Sequence, residues 1–115
     1  MRKIVFYKTL KGNNPVRTFL NTLSDKQAKK IAWVLRLVRD LNFVPKEYFK
    51  KLVNTDDLWE IRIQSGNNIF RILCFFEKGN LIVLTNGFVK KTQKTSNREI
   101  KLAEKRKREY LTRNK

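Results

Sequence analysis

Two β-prone segments joined by a short turn constrain the fold of this 115-residue chain more than any other feature. The segments are residues 58–64 and 69–76, and Ser65-Gly66-Asn67-Asn68 between them has the composition of a tight turn. A hairpin with Gly66-Asn67 at its tip places Arg62 opposite Arg71. A four-residue loop over 65–68 gives the same pairing, so the predicted register does not depend on the turn type.

The predicted pairing of Arg62 with Arg71 has an electrostatic cost, because like charges directly opposite on neighbouring strands repel each other. A polyanion bound between the two guanidiniums would offset that repulsion. Glu60 falls on the same face, diagonal to Arg71, and is the only carboxylate near the pair. The cluster predicts a site that holds phosphate and performs acid–base chemistry on it. The alternative is an exposed salt-bridge cluster on an open sheet face.

The charge of the chain points to an anionic partner. There are 27 Lys and Arg against 10 Asp and Glu, a formal net charge of +17. Nucleic acid, an acidic protein or a membrane surface would each fit this excess. Membrane is the weakest of the three, because no apolar run approaches the roughly 20 residues that span a bilayer.

Length and residue usage predict one domain over residues 1–115, in a reducing cytoplasm. Lys8 interrupts the first apolar stretch, so we expect no signal peptide. The single cysteine, Cys74, lies in a strand pattern, which favours a small buried core residue over a reactive thiol. The chain has no histidine, the commonest metal ligand and general base. We therefore expect no metal and no cofactor.

The element pattern predicts an α+β fold in the order β-α-α-β-β-β, followed by a basic C-terminal helix. The predicted strands are residues 3–9, 58–64, 69–76 and 81–86. Three helices are predicted: the first begins at Pro15, the second begins at the Ser24–Gln27 capping-box pattern and runs to about Leu41, and the third covers about 96–112. The first two helices should form a hairpin on one face of a small, largely antiparallel sheet. Residues 48–52, in the long connector, should pack at the sheet edge.

The second helix has a wide apolar stripe. Its helically spaced positions are Ala28, Ile31, Ala32, Leu35 and Val38, and Trp33, Val34, Leu37 and Leu41 widen the stripe. A stripe of this width is broader than a single packing surface needs. Either all of these residues belong to the core, or some of them are left for a partner.

Strict alternation assigns the hairpin side chains to two faces. The face expected under the helices holds Trp59, Ile61, Ile63, Phe70, Ile72, Cys74 and Phe76. The other holds Glu60, Arg62, Gln64 and Arg71 with Leu58, Leu73 and Phe75, to which the last strand should add Ile82, Leu84, Asn86, Phe88 and Lys90. A face that is half apolar and half cationic suits single-stranded nucleic acid, because bases stack on rings while guanidiniums bind phosphates.

The last quarter of the chain is strongly basic. Residues 90–95 form a predicted basic loop, and Ser96-Asn97-Arg98-Glu99 is a second capping-box pattern. The helix that follows has only a thin apolar stripe around Ile100 and Ala103. We expect it to dock loosely or to be mobile when unbound.

Three motifs together resemble the RelE/ParE toxin superfamily, and within it the HigB-like, phage Gp49-related branch. They are Leu58-Trp59-Glu60-Ile61-Arg62, Phe70-Arg71-Ile72-Leu73 and Asn86-Gly87-Phe88-Val89-Lys90-Lys91-Thr92-Gln93-Lys94-Thr95. The resemblance covers nearly the whole chain and implies a RelE-like fold. It also implies a cytoplasmic toxin of a type II toxin–antitoxin system that cleaves mRNA in the ribosomal A site without metal. Its implied partners are the ribosome, mRNA and a helix-turn-helix antitoxin, with which it could form a hetero-oligomer that binds operator DNA.

The resemblance also implies roles for individual residues. The 2′-OH of a nucleotide attacks the adjacent phosphate, and a cyclic phosphate forms as the 5′-oxygen leaves. Arg71 would stabilise the charge that develops, Arg62 would share that role or bind a flanking phosphate, and Glu60 is a candidate base. Lys90, Lys91 and Lys94 are candidates for acid, base or RNA contact. Some relatives have a histidine or tyrosine where this chain has Phe88 and lysines, so its acid–base groups differ.

Further residues are predicted to bind partners. Phe88, Arg98, Lys105, Arg106 and Arg108 would contact RNA, and Trp33 and Leu37 would contact the antitoxin. Two other functions stay open. One is a ParE-like gyrase inhibitor, against which the basic cluster counts, and the other is a non-catalytic RNA-binding module.

Overall fold

The computed structural model describes residues 1–114, which form five strands and three helices. In chain order these are β1 (Lys3–Phe6), α1 (Pro15–Asn21), α2 (Asp25–Asp40), β2 (Phe49–Lys51), β3 (Trp59–Ser65), β4 (Asn68–Glu77), β5 (Leu81–Val89) and α3 (Asn97–Arg113). The sheet has the order β1-β5-β4-β3-β2; β1 pairs parallel with β5, and the other pairs are antiparallel. The predicted α+β class is confirmed, and the architecture is compatible with a RelE-like fold.

Local capping sets the two helices of the hairpin. Asn14 accepts a hydrogen bond from the Arg17 amide, and Pro15 occupies the first turn of α1, where its missing N–H costs nothing. The predicted capping box of α2 is present, with Ser24 and Gln27 exchanging side chain to backbone bonds of 3.2 and 3.0 Å. The residues of α2 that reach the core fully are Ile31, Val34 and Val38, whereas Ala32 is exposed.

The β3–β4 hairpin has the predicted register, with Arg62 directly opposite Arg71. Its loop is the two-residue form, since Ser65 pairs with Asn68. Gly66 has a φ of +61°, which glycine adopts without steric cost. The face predicted to lie under the helices does so: Ile61, Ile63, Phe70, Ile72 and Cys74 are buried in the core with the α2 residues.

The last strand departs from strict alternation. Ile82 and Leu84 were expected on the arginine face, but they lie in the core under the helices, so that assignment is wrong. A β-bulge between Leu73 and Cys74 is the reason: Cys74 pairs with Leu84 while Leu73 pairs with Asn86, which leaves Thr85 as the extra residue. Beyond the bulge, Asn86 and Phe88 lie on the arginine face as predicted, because they pair with Leu73 and Arg71.

The segment 48–52, predicted to pack at the sheet edge, contributes a strand of its own. Phe49–Lys51 forms β2 and pairs with β3, so that Lys50 lies opposite Glu60. Because Phe49, the first residue of β2, pairs with Ile61, the second half of β3 has no neighbour from β2. The sheet therefore has one more strand than the sequence pattern predicted.

Helix α3 packs closely against the sheet, so the expectation of loose docking is not met. Ala103 is fully buried, and Ile100 and Tyr110 pack beside it on a second core cluster that contains Leu58, Leu73, Phe75 and Val83. The Tyr7 hydroxyl donates a hydrogen bond to Glu109 across the same interface. No helix among the described residues combines the length and apolar character required to cross a bilayer.

The second predicted capping box is only half formed. Ser96 accepts a hydrogen bond from the Arg98 amide and caps α3. The Glu99 side chain instead accepts a bond of 2.9 Å from the Asn86 amide group. Glu99 therefore joins α3 to the end of β5, close to the loop of residues 90–96.

Candidate functional site

The arginine pair and Glu60 form one cluster on the sheet face. Oε1 of Glu60 lies 3.5 Å from Nε of Arg62 and 3.4 Å from Nε of Arg71. The Glu60 side chain is only 4% exposed. A single buried carboxylate thus lies between two guanidiniums, which reduces their repulsion but leaves the cluster with a net positive charge.

The two arginines differ in their access to solvent. The Arg71 side chain is 8% exposed and donates to the backbone oxygen of Phe70, whereas Arg62 is 29% exposed and donates to the backbone oxygen of Lys46. Burial lowers the pKa of Arg71; Arg62 acts in the same direction, and Glu60 opposes it. Nε of each arginine is buried without a hydrogen-bond partner among residues 1–114. Because both donors are buried and face Glu60, an added oxyanion would have to displace that carboxylate to bind them.

The basic loop between β5 and α3 closes onto this cluster. The Thr95 hydroxyl donates a hydrogen bond to Oε2 of Glu60, and the Lys90 amide donates to the Ile69 carbonyl at 2.8 Å. Burial lowers the pKa of Lys90, and so, in decreasing order, do the nearby charges of Arg71, Arg62 and Lys50, while Glu60 opposes them. Lys90 therefore releases its proton more readily than an ordinary lysine.

Two cavities lie near the cluster, and the arginines line one of them. A cavity of about 170 Å³ is lined by loop residues that include Phe88, Lys90, Lys91 and Lys94, and the last two are exposed. A second cavity, of about 310 Å³, lies at the free half of β3. Its lining residues include Lys30, Glu47, Tyr48, Arg62, Gln64 and Arg71. Although Arg71 is almost fully buried, α3 does not seal it off, because its side chain lines this cavity.

The predicted contacts on α3 are divided between two sides of the helix. Arg98, Lys105 and Arg108 are exposed. Arg106 is half-buried instead: it donates to the Thr85 carbonyl at 3.0 Å, and its guanidinium lies 5.5 Å from the Tyr7 ring centre. Arg106 therefore holds α3 on the sheet, and the structure does not present it to RNA as the sequence analysis expected.

The residues predicted to contact an antitoxin lie on α2, away from α3. Trp33 is 40% exposed and Leu37 is half-buried. The Trp33 ring meets the Tyr48 ring edge-on at 5.7 Å, and the Lys30 ammonium lies 4.7 Å from the Trp33 ring centre. Trp33 is thus a neighbour of the cavity beside Arg62, which Lys30 and Tyr48 line.

Sequence reasoning missed several residues around the cluster. Thr95 was only part of a basic loop, and nothing in its local pattern marks it as a partner of Glu60. The positions of Lys50 and Tyr48 beside the cluster could be inferred only once the β2–β3 pairing was known. Among residues 1–114, no three His, Cys, Asp or Glu side chains are grouped so that they could hold a metal ion.

Fold and site together define a small α+β protein with a cationic cluster on its sheet. The sequence model of the family described as phage-derived protein Gp49-like (DUF891) matches residues 18–108, which include the whole cluster. The chain belongs to this family, which is a RelE-like toxin family. Membership suggests a toxin-type protein of a toxin–antitoxin system and nuclease chemistry. No curated protein matches the sequence.

Proposed function

We propose that this protein is the HigB-like toxin of a type II toxin–antitoxin system and a ribosome-dependent mRNA endonuclease. The observation that carries the proposal is the arrangement of Arg62 and Arg71 around one buried carboxylate, with Lys90 near enough for the charges of the arginines to lower its pKa. Phosphate chemistry needs positive charge held where the transition state becomes more negative. The guanidiniums supply that charge here, so the proposed reaction needs no metal ion.

The proposed reaction is attack of a 2′-OH on the adjacent phosphate with departure of the 5′-oxygen. Arg71 and Arg62 bind the non-bridging phosphate oxygens, and the phosphate takes the place of Glu60 beside their Nε donors. Glu60 is the less suitable proton carrier, because both its oxygens are already engaged, by the arginines and by Thr95. We therefore assign the role of base to Lys90, whose pKa is lowered by burial: its neutral amine accepts the 2′-OH proton, and the departing 5′-oxygen takes a proton from solvent. Lys91 and Lys94 are assigned phosphate contact.

The proposed partners occupy separate surfaces. Ribosomal RNA would lie against Arg98, Lys105 and Arg108, which are exposed on α3. A helix-turn-helix antitoxin would bind at Trp33 and Leu37 on α2 and would link the toxin to operator DNA. Such a pair would act in the cytoplasm. Because Trp33 is next to the cavity beside Arg62, a protein bound there would also restrict access of RNA to the arginines.

The test is cleavage in a coupled translation extract. Purified wild-type protein should halt translation and leave mRNA cut at codons in the A site. Arg71→Ala should reduce cleavage at least 100-fold, because a group that stabilises transition-state charge is lost. Arg71→Lys and a thermal melt control for misfolding of the buried site. Arg36→Ala removes an exposed arginine on α2 and should cleave normally.

Other results would identify the alternative functions. Arrested translation with intact mRNA contradicts the nuclease proposal, and inhibition of gyrase supercoiling would then indicate the ParE-like activity. RNA binding that weakens in Arg71→Ala and Lys91→Ala without any turnover would indicate a non-catalytic RNA-binding module.

A further inference from the structure

A second groove lies at the sheet edge formed by β2, outside the cluster described above. Its volume is about 430 Å³. Four aromatic side chains line it: Phe43, Phe49, Trp59 and Phe76. We call it the Phe43 groove. None of the roles assigned so far uses it.

Three of these rings pack on one another, and the fourth is exposed to solvent. Phe49 and Trp59 stack with ring centres 4.7 Å apart, and Phe76 meets them edge-on at 5.9 and 5.5 Å. Phe43, in the turn after α2, is 89% exposed. An exposed aromatic ring beside a groove of packed aromatic rings offers a stacking surface to a flat ring.

The rim of the Phe43 groove is cationic, and no acidic residue lines it. Lys46 and Lys50 are exposed and form no ion pair within the described chain, whereas Lys51 pairs with Asp57 at 3.2 Å. Arg2 also lines the groove, but it donates to backbone oxygens of Val38 and Asn42 and so fixes the turn that carries Phe43. The ligand should therefore combine a flat ring with negative charge.

The edge strand β2 lies between the groove and the candidate catalytic cluster, which is on the other face of the sheet. Lys50 lies opposite Glu60 in the β2–β3 pairing, and the Lys46 carbonyl accepts the hydrogen bond from Arg62. The two lysines thus connect the groove to the arginines. An RNA strand crossing Arg62 and Arg71 could place its next phosphate on these lysines and its next base in the groove.

We propose that the Phe43 groove binds a nucleobase of the RNA strand, one that flanks the phosphate held by Arg62 and Arg71. The base stacks on the exposed ring of Phe43 beside the Phe49–Trp59 pair, and Lys46 and Lys50 bind its phosphate. An acidic peptide would satisfy the charges but would leave the exposed ring of Phe43 without a flat partner. The inference rests on the proposed function, because it takes RNA to be the substrate of the neighbouring cluster.

The experiment uses Trp59 as the reporter. The chain has two tryptophans, so a Trp33→Phe background leaves Trp59 as the only one. The probe is a 2′-O-methyl decamer of adenosine, which cannot be cut by attack of a 2′-OH. It should quench Trp59, and Phe43→Ala should weaken its affinity about tenfold, the loss typical of one base–aromatic stack. Phe43→Tyr should retain affinity, and Val53→Ala, a truncation at an 82% exposed residue outside the groove, should change nothing.

Three outcomes would overturn the groove assignment: no quenching of Trp59, equal affinity in Phe43→Ala, or poly-L-glutamate quenching Trp59 where the decamer does not. The last would identify the groove as a site for acidic polypeptide. The proposed nuclease function fails separately, if the wild type leaves mRNA intact in the extract. Quenching that depends on Phe43 would then still support the groove as an RNA contact.

Discussion

At the scale of single residues, the repulsion within the arginine pair is relieved mainly by Glu60. The sequence places the carboxylate diagonal to Arg71, and in the structure it lies within 3.5 Å of both guanidiniums. Glu60 therefore stabilises the free protein and at the same time competes with any phosphate for the same donors. RNA binding has to overcome this internal ion pairing.

Replacing Glu60 by Gln should separate these two effects. We expect stability to fall by roughly 3 kcal/mol, because a buried ion pair loses one partner. Affinity for the 2′-O-methyl decamer should rise, since an anion that competes with phosphate is removed. Urea unfolding and Trp59 fluorescence would measure the two quantities.

Glu47→Gln is the matched control for this change. Glu47 lines the cavity beside Arg62 but is exposed, so the same substitution should alter stability by less than about 0.5 kcal/mol. Weaker decamer binding by Glu60→Gln would contradict the competition described here. It would mean that the carboxylate contacts the RNA itself.

At the scale of elements, the bulge in β5 lets one strand serve two purposes. Before Thr85, the strand contributes Ile82 and Leu84 to the core under the helices. After it, Asn86 and Phe88 lie on the arginine face, and Asn86 bonds to Glu99 of α3. An uninterrupted strand would have placed one of these two sets on the wrong side of the sheet.

Gly87, within the motif shared with the toxin superfamily, has a packing explanation. A Cβ atom at this position would lie 2.6 Å from Cδ2 of Phe19 on α1, so the helix could not approach β5 as closely. Phe19 also meets Phe70 edge-on at 6.2 Å, which limits how far its ring can move. The glycine thus allows α1 to pack onto the sheet rather than taking part in the chemistry.

Gly87→Ala should lower the free energy of unfolding by about 1–3 kcal/mol, as overpacking usually does. Phe19→Leu in the same chain should recover part of that loss, because it removes the ring atoms that clash. A double-mutant cycle by urea unfolding measures this coupling. If the two substitutions changed the free energy of unfolding additively, the contact between residue 87 and Phe19 would not be the cause of the loss.

At the scale of the whole molecule, the net charge of +17 is concentrated beside the site, because several acidic residues are bonded to other parts of the structure. Glu60 is paired inside the cluster, Glu109 binds Tyr7, and Asp56 binds Lys107. The lysines of the 90–96 loop and the outer arginines of α3 are thereby left as a basic surface next to the site. Such a surface should attract RNA through its phosphates, with little dependence on sequence.

Affinity for the decamer should therefore fall steeply with salt. With about five phosphates neutralised, the slope of log K against log salt is about −3.5, which is a loss of roughly 100-fold between 50 and 200 mM. Lys94→Ala should reduce the slope by about 0.7, because one phosphate contact is lost. Phe43→Ala should weaken binding without changing the slope, since the side chain is uncharged. Fluorescence titrations of the two variants over this salt range measure these slopes. A salt-independent affinity would contradict the proposed binding of RNA by the basic surface.

Much of the fold was predictable because its determinants are local. Alternation and turn composition were sufficient for the β3–β4 register, the capping box marked the start of α2, and the strand pattern predicted a buried Cys74. The arginine pair followed from the same register. Each of these depends on residues that are close together in the chain.

The rest was decided by contacts between distant segments. The phase of β5 depends on a bulge that no local pattern marks, and Arg106 is turned inward by the Thr85 carbonyl, 21 residues earlier in the chain. Thr95 reaches Glu60 across 35 residues, and β2 and the turn after α2 complete the Phe43 groove together. The sequence by itself determined which charges share one face of the hairpin. Only the tertiary structure decided which of them are buried, neutralised or open to a ligand, because burial depends on what packs against a residue from elsewhere in the chain.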